Sequence, residues 1–132
     1  MTYKIKGCKV VFNPYDFLPA YGETSIDLKF SDSLLELNVY YDTNRDNKEG
    51  CLRLLFDNAV FYKLESFPGV SSINAEYDYD DSTVGSLIQF LDSDFKDVWE
   101  RHFNNLFKFA HYKIFLLGVN KSLEVVCRDI HF

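Results

Sequence analysis

The feature of this chain that most constrains its fold is a two-residue alternation of apolar and polar side chains, which recurs in several separate segments. Between residues 25 and 30, Ile26, Leu28 and Phe30 alternate with polar residues, and residues 35–42 repeat the pattern. Successive side chains of a β-strand point to opposite faces of the sheet, so a period of two predicts strands with one buried face. We therefore expect a fold built mainly from half-buried strands.

Two of the alternating segments flank a polar loop that contains a glycine. Residues 35–42 lie before this loop and residues 51–56 lie after it. Alternating segments joined by such a loop indicate an antiparallel hairpin. Residues 59–65 form either a further strand or a continuation of the preceding one past a bulge. More strands are predicted at residues 3–12, 84–91, 109–117 and 122–130.

One segment has the spacing of a helix instead of a strand. Apolar and aromatic side chains recur three or four residues apart through residues 94–105, which predicts a helix there. Asp92, Ser93 or Asp94 can cap it by accepting hydrogen bonds from the backbone N–H groups of the first turn. With a single helix available, parallel β-α-β layering is not expected. The predicted fold class is mainly β (α+β): an antiparallel β-sandwich or curled sheet of about seven or eight strands with one helix packed on it.

The length and composition are those of one globular domain covering residues 1–132. Aromatic residues make up 17% of the chain, and large rings favour strands and supply much buried area. Cys8, Cys51 and Cys127 lie in apolar segments without CxxC spacing, where a free thiol acts as a small hydrophobic group. Because the sequence contains neither a signal-peptide pattern nor about 20 consecutive apolar residues, we expect a protein of the reducing cytoplasm.

The charge balance bears on the class of partner. The formal net charge is −6. Proteins that bind nucleic acid neutralise phosphates with Lys and Arg, so this balance argues against nucleic-acid binding. The acidity either reflects a solvated surface or suits a basic protein partner. No nucleic-acid or membrane partner is expected.

The clearest candidate for partner binding is an acidic segment interleaved with tyrosines. Tyr is enriched at protein interfaces because its ring is amphipathic, and carboxylates attract a basic partner. The alternative is an ordinary acidic loop that keeps the protein soluble. The predicted partner-binding residues are Tyr77, Asp78, Tyr79, Asp80 and Asp81.

The polar loop over residues 42–50 partly matches a calcium-binding loop. Asp42, Asn44 and Asp46 occupy alternate positions, as the first ligands of such a loop do. The match then fails, because Asn47 stands where a glycine is needed and Arg53 stands where a bidentate Glu is needed. A solvated hairpin loop without metal is therefore the prediction, and no cofactor is expected.

No catalytic motif is present in the sequence. His102 lies on the apolar helix face, His111 alternates with apolar neighbours in a strand, and His131 is next to the C-terminus. There is no HExxH motif, no GxSxG motif and no glycine-rich phosphate loop. We therefore predict a protein that is not an enzyme. An enzyme would need residues that the fold assembles from distant segments.

The C-terminal part of the chain carries a family resemblance. It contains Ser86-Leu-Ile-Gln-Phe-Leu-Asp-Ser93, the helix with Trp99, His111-Tyr-Lys-Ile-Phe, and Leu123-Glu-Val-Val126. This combination resembles small, poorly characterised bacterial β-rich proteins, some of which are encoded beside secreted polymorphic toxins. The resemblance implies a candidate immunity protein. It consists mostly of core-forming residues, so it implies a scaffold and assigns no functional residue.

Two functions follow as expectations. The first is a non-catalytic bacterial cytoplasmic binding protein, and more specifically an immunity protein that occludes a partner toxin. The alternative is a β-sandwich that binds a small molecule in a pocket between the helix and the sheet, lined by Trp99, Phe103 and Tyr112.

Overall fold

The computed structural model describes residues 5–12, 23–42, 49–66, 86–116 and 118–132. Within these ranges the chain forms nine β-strands and one α-helix. No helix in the described ranges is long and apolar enough to cross a membrane. In chain order the elements are β1 (Ile5–Phe12), β2 (Glu23–Ser31), β3 (Leu34–Asp42), β4 (Glu49–Asp57), β5 (Phe61–Ser66), β6 (Leu87–Ser93), α1 (Asp94–His102), β7 (Ala110–Leu116), β8 (Lys121–Cys127) and β9 (Asp129–His131).

The strands form two antiparallel sheets. The five-stranded sheet has the order β1-β6-β7-β8-β5, and the four-stranded sheet has the order β2-β3-β4-β9. Every pair of neighbouring strands is antiparallel. The predicted hairpin is the β3–β4 pair, in which Val39 lies opposite Leu52. The predicted fold class, mainly β with antiparallel strands and one helix, is confirmed, and of the two predicted architectures, a sandwich or a curled sheet, the described strands form the two-sheet sandwich.

The core lies between the two sheets. Leu35, Leu37 and Val39 of β3 point inward at alternate positions and are fully buried. Phe56 of β4 meets Tyr112 of β7 across the interface, with ring centroids 6.5 Å apart. Burying one large apolar side chain contributes about 1.5–3 kcal/mol. The alternation in the sequence therefore supplies the faces that hold the two layers together.

Strand β7 is buried on both faces, which its sequence pattern does not reveal. Every residue of β7 after the first is buried. Tyr112 faces the core between the sheets, whereas His111, Lys113 and Phe115 point to the opposite face, where α1 packs against His111 through Phe95. The molecule thus has three layers, in the order helix, five-stranded sheet and four-stranded sheet.

At one end of the sandwich the chain crosses between the sheets at two places. Residues 58–60 lead from β4 to β5 in the other sheet, so β5 is a separate strand and not a continuation of β4. The predicted strand 122–130 is divided at Arg128 into β8 and β9, which belong to different sheets. This division raises the number of described strands above the predicted seven or eight. Three backbone hydrogen bonds of 2.8–3.0 Å, written with the N–H donor first, fix the crossings: Ala59 to Ser33, Val60 to Val126 and Arg128 to Asp57.

Helix α1 is shorter than predicted, because it ends at His102 and not near residue 105. Its N-cap is Ser93, whose hydroxyl accepts a hydrogen bond from the Lys96 N–H at 3.2 Å. Asn104 and Asn105 follow the helix with φ of 56° and 58°. A left-handed backbone conformation ends a helix, and Asn adopts it more readily than most residues. The two asparagines therefore terminate the helix that the apolar spacing would continue.

Candidate functional site

Most residues of the two predicted surface sites lie outside the described part of the chain. The partner-binding segment therefore stays a prediction. Within the described ranges, no group of three or more His, Cys, Asp or Glu side chains is placed to hold a metal ion. The part of the chain that the structure describes does not include residues 43–48 of the calcium-like loop. It also does not include the predicted partner-binding residues Tyr77, Asp78, Tyr79, Asp80 and Asp81.

A hydroxyl, an imidazole and a carboxylate meet where helix α1 joins the five-stranded sheet. Ser93 Oγ lies 2.7 Å from His111 Nδ1, and His111 Nε2 lies 3.1 Å from Glu124 Oε2. Because Ser93 Oγ already accepts the Lys96 N–H, its own proton can be donated to Nδ1, which places the ring proton on Nε2. The Nε2–H group does not meet hydrogen-bond geometry toward the Glu124 carboxylate. The contact between His111 and Glu124 is therefore mainly electrostatic.

The charges around this group shift the pKa of two neighbours. Burial has the largest effect on the Glu124 carboxyl and raises its pKa, but the contact with His111 and the charges of Lys113 and Lys63 together outweigh it. The pKa of Glu124 therefore lies below its ordinary value of 4.5. Burial lowers the pKa of Lys113 below 10.5, and the nearby charges of Glu124 and Glu65 oppose part of that effect.

The spatial order of these groups resembles that of a catalytic triad, in which a hydroxyl is the nucleophile, an imidazole is its base and a carboxylate orients the imidazole. Here the hydroxyl and the imidazole are sealed, since Ser93 and His111 are 0% exposed, whereas the Glu124 side chain is 26% exposed. The rings of Phe90 and Phe95 lie against the imidazole, with centroid distances of 4.5 and 5.6 Å. A nucleophilic hydroxyl must touch its substrate, whereas this hydroxyl caps a helix. In this arrangement the group fastens the start of α1 to the sheet.

In the described part of the chain, aromatic side chains pack between the helix and the sheet, where a pocket was predicted. Phe95 of α1 packs edge-on against Phe61 of β5, with ring centroids 4.6 Å apart. Tyr112 lies on the opposite face of the five-stranded sheet, in the core. Trp99, Phe103 and Tyr112 therefore do not line one common pocket. Phe103 instead lines a hollow at the end of the sandwich.

We call this feature the end hollow. It opens at the surface where the segment after α1 passes over the two crossings of the chain, and its volume is about 160 Å³. Three phenylalanine rings form its walls, while the buried Ala59 and the backbone of the β4–β5 connection contribute its base. The lining consists of Ser33, Asn58, Ala59, Val60, Phe103, Phe107, Phe109 and Arg128.

The wall segment 103–109 is held in place by a buried acid of the helix. The Glu100 carboxylate accepts a hydrogen bond from the backbone N–H of Phe109 at 3.2 Å, and its Oε1 lies 3.3 Å from Lys96 Nζ. The backbone carbonyl of Glu100 also accepts the Asn105 N–H at 2.8 Å. The rings of Phe103 and Phe109 are therefore positioned by hydrogen bonds as well as by packing.

One positive charge lies at the rim of the end hollow. The Arg128 guanidinium sits over the Phe107 ring, 4.8 Å from its centroid, in a cation–π contact. Among the described residues its side chain makes no ion pair with a carboxylate. Arg128 is exposed, so its guanidinium is accessible from solvent.

A second, shallower depression adjoins the first, and we call it the side hollow. Its volume is about 320 Å³, and it shares Ala59 and Val60 with the end hollow. Phe30 and Tyr62 form its outer part, with ring centroids 5.4 Å apart and exposures of 48% and 41%. The two hollows adjoin at Ala59 and Val60, and the aromatic side chains of both lie around the β4–β5 connection; we call the two together the aromatic surface.

Comparisons with other proteins place no known function on this surface, because no protein-family model, curated protein or solved structure matches this chain. Any functional conclusion therefore rests on the geometry and chemistry of the residues themselves.

Neither hollow was predicted from the sequence. The available signals were the helix-ending Asn104-Asn105 pair and the turn at Asn58, which mark where the chain changes direction.

Proposed function

We propose that this chain is a non-catalytic binding protein that covers the surface of a partner protein, as an immunity protein covers the toxin that it blocks. The observation that carries the proposal is the aromatic surface formed by the end hollow and the side hollow. Phe107 is 36% exposed there, beside the more exposed Phe30 and Tyr62. Large exposed rings next to an arginine have the composition that is enriched in protein interfaces, and contiguous apolar patches mark interaction sites.

The group of Ser93, His111 and Glu124, in which the hydroxyl and the imidazole are fully buried, supports a role without catalysis. A hydroxyl, an imidazole and a carboxylate come together in this group, and packed rings lie against the imidazole. A binding protein needs such a group only for stability. The resemblance of residues 86–126 to proteins encoded beside toxins favours the same function.

The net charge of −6 favours a partner that is basic overall, because complementary charges speed association and exclude wrong partners. The acidic, tyrosine-containing residues 77–81 stay the proposed contact for that charge. The aromatic surface would then supply the apolar part of the interface, and the acidic segment would supply long-range attraction.

Co-expression with the products of neighbouring genes tests this proposal. The expected result is a complex of fixed stoichiometry on size-exclusion chromatography with light scattering, and loss of the partner's activity on binding. Phe30→Ser and Phe107→Ser should weaken the complex at least tenfold in isothermal titration calorimetry. The matched control is Leu91→Ser, which removes an exposed apolar side chain that lines neither hollow.

Two results would count against the proposal. If none of the neighbouring products forms a complex, the immunity role is wrong. If a complex forms and tolerates both serine variants but is lost in Asp78→Asn/Asp80→Asn, the partner binds at the acidic segment and not at the aromatic surface.

The dimensions of the hollows do not favour a small-molecule site. Pockets for small molecules and cofactors usually enclose about 300–1,000 Å³ and cover most of the ligand. The end hollow is smaller than that range. The side hollow, at about 320 Å³, lies at its lower limit, but it is shallow and is bounded by two rings that are 48% and 41% exposed. A surface of this shape suits the protruding side chains of a larger partner.

A further inference from the structure

We propose that the end hollow is an anchor site for one aromatic side chain of the protein partner, and that Arg128 binds a carboxylate next to that ring. The inference rests on the proposed function and names the chemistry of the segment that would dock. The occupant is thus a ring with an acidic group close beside it, presented by a partner whose remaining contacts lie on the surrounding surface.

The volume of the end hollow selects the size of the occupant. A closed apolar cavity of about 150 Å³ holds a benzene molecule. The end hollow, at about 160 Å³, therefore has room for one aromatic ring and not for two. Interfaces often concentrate their binding energy in a single aromatic side chain that enters such a pocket.

The walls select an aromatic side chain over a polar one. Phe103 lies 5.7 Å from Phe107 and 5.7 Å from Phe109, measured between ring centroids, and the ring planes meet at 70° and 54°. Tilted rings offer both faces and edges to a further ring, which is the arrangement that aromatic groups prefer. An inserted ring would complete this cluster and displace water from an apolar surface.

The rim selects a negative charge beside the ring. The guanidinium of Arg128 lies over Phe107 in the cation–π contact, and the Arg128 side chain is exposed to solvent. A guanidinium is a planar fork of donors that matches a carboxylate. Because no described carboxylate pairs with Arg128, its donors are available to a partner. The charge here is opposite to the net charge of the protein, so this site recognises an acidic group even on a basic partner.

The end hollow is also formed before any partner arrives. Backbone hydrogen bonds from Ala59, Val60 and Arg128 fix its base. Glu100 fixes the segment that carries the phenylalanine walls through the Phe109 N–H. A preformed site avoids the entropy cost of ordering a loop on binding, so a single inserted side chain can contribute more of its interaction energy.

The test uses small probes and the full chain, so that it does not depend on finding the partner. N-acetyl-L-phenylalanine carries a ring and a carboxylate, and N-acetyl-L-phenylalaninamide is the same molecule without the charge. We expect the acid to bind with a dissociation constant on the order of 1 mM, measured by shifts of the backbone amide signals of Ala59, Val60 and Phe109 in ¹H–¹⁵N NMR spectra. The acid should bind about fivefold more tightly than the amide, which is the upper end for an exposed ion pair.

Two variants separate the ring from the charge. Arg128→Gln should remove the difference between acid and amide while both still bind, and Phe107→Ser should weaken both probes at least fivefold. Arg101→Gln is the matched control, because Arg101 is an exposed arginine that lines neither hollow. Unchanged melting temperatures confirm that the variants are folded.

Three results would overturn the inference: neither probe shifts these signals at 20 mM, the amide binds as well as the acid, or the Arg101 variant behaves like the Arg128 variant. These results are distinguishable from failure of the proposed function. A partner complex that tolerates Phe107→Ser and Arg128→Gln refutes the anchor site and leaves the binding role intact. Probe binding without any partner complex supports the site and refutes the immunity role.

Discussion

Ser93→Ala should destabilise the protein far more than the loss of one oxygen atom suggests. The Ser93 hydroxyl makes two contacts at once, since it caps α1 through the Lys96 N–H at 3.2 Å and lies 2.7 Å from His111 Nδ1. Loss of an N-cap costs about 1 kcal/mol. A buried ring nitrogen left without a partner costs about 1–3 kcal/mol more. The expected loss is therefore about 2–4 kcal/mol of the free energy of unfolding.

Urea denaturation followed by circular dichroism measures this loss. With a slope of about 2 kcal/mol per molar urea, the midpoint should fall by roughly 1–2 M at an unchanged slope. Ser31→Ala is the matched control, because Ser31 is exposed near the end of a strand and its substitution should stay within about 0.5 kcal/mol.

A double-mutant cycle tests the part of the reasoning that concerns the imidazole. His111→Phe keeps a ring between Phe90 and Phe95 but removes the nitrogen that contacts Ser93. In that background Ser93→Ala should cost only the cap, about 1 kcal/mol. A cost of Ser93→Ala below about 0.5 kcal/mol, or the same cost in both backgrounds, would contradict the double role of the Ser93 hydroxyl.

Three further predictions concern other buried contacts. The pKa of Glu124 is lowered in the folded state, so its charge stabilises the fold above pH 4.5, and this stabilisation is lost as the pH falls through the folded pKa. In acid titrations the difference in free energy of unfolding between the wild type and Glu124→Gln should therefore shrink below pH 4.5. A constant difference from about pH 7 to about pH 3 would contradict this prediction. Burial raises the pKa of the Cys127 thiol to about 12, whereas Cys51 is exposed. Peptide mapping after treatment with iodoacetamide at about pH 8 should find Cys51 modified and Cys127 intact until urea unfolds the chain. Equal labelling of the two cysteines in the folded protein would contradict the burial of Cys127. Gly118→Ala would place a methyl group 2.7 Å from the Glu23 backbone oxygen. The free energy of unfolding, measured by urea denaturation, should therefore fall by about 1–3 kcal/mol. An unchanged free energy of unfolding would show that this turn can shift to make room.

Sequence periodicity was sufficient to predict a mainly β, antiparallel fold, because each half-buried strand repeats its environment every second residue, but it left a sandwich and a curled sheet as alternatives. Leu35, Leu37 and Val39 are an example, and the structure confirms their inward direction. The pattern fails for β7, whose helix-covered face carries His111 and Lys113, polar residues that are buried only because neighbouring strands supply partners. Such partners are set by pairing between strands, which a single segment does not encode.

The end hollow could not be predicted for a related reason. Ser33, Ala59, Phe107 and Arg128 come from four separate parts of the chain, and they meet only because the strands change sheets at that end. The prediction of one strand over residues 122–130 missed this change, although the alternation shifts phase at the crossing, where Asp129 takes the parity of Cys127 and Ile130 takes the parity of Arg128. A local pattern reports which face a side chain takes, and it contains no information about the sheet to which a strand belongs.

The backbone hydrogen bonds at the two crossings have a consequence for how this scaffold can diversify. The base of the end hollow is held by main-chain atoms, including the carbonyls of Ser33 and Val126, and a substitution does not remove a carbonyl. The residues that give the hollow its chemistry, such as Phe103, Phe107 and Arg128, stand around that base and are partly or largely exposed. They can be exchanged in descendants of this protein at small cost to folding, so the chemistry of the hollow can change while the shape of its base is inherited unchanged.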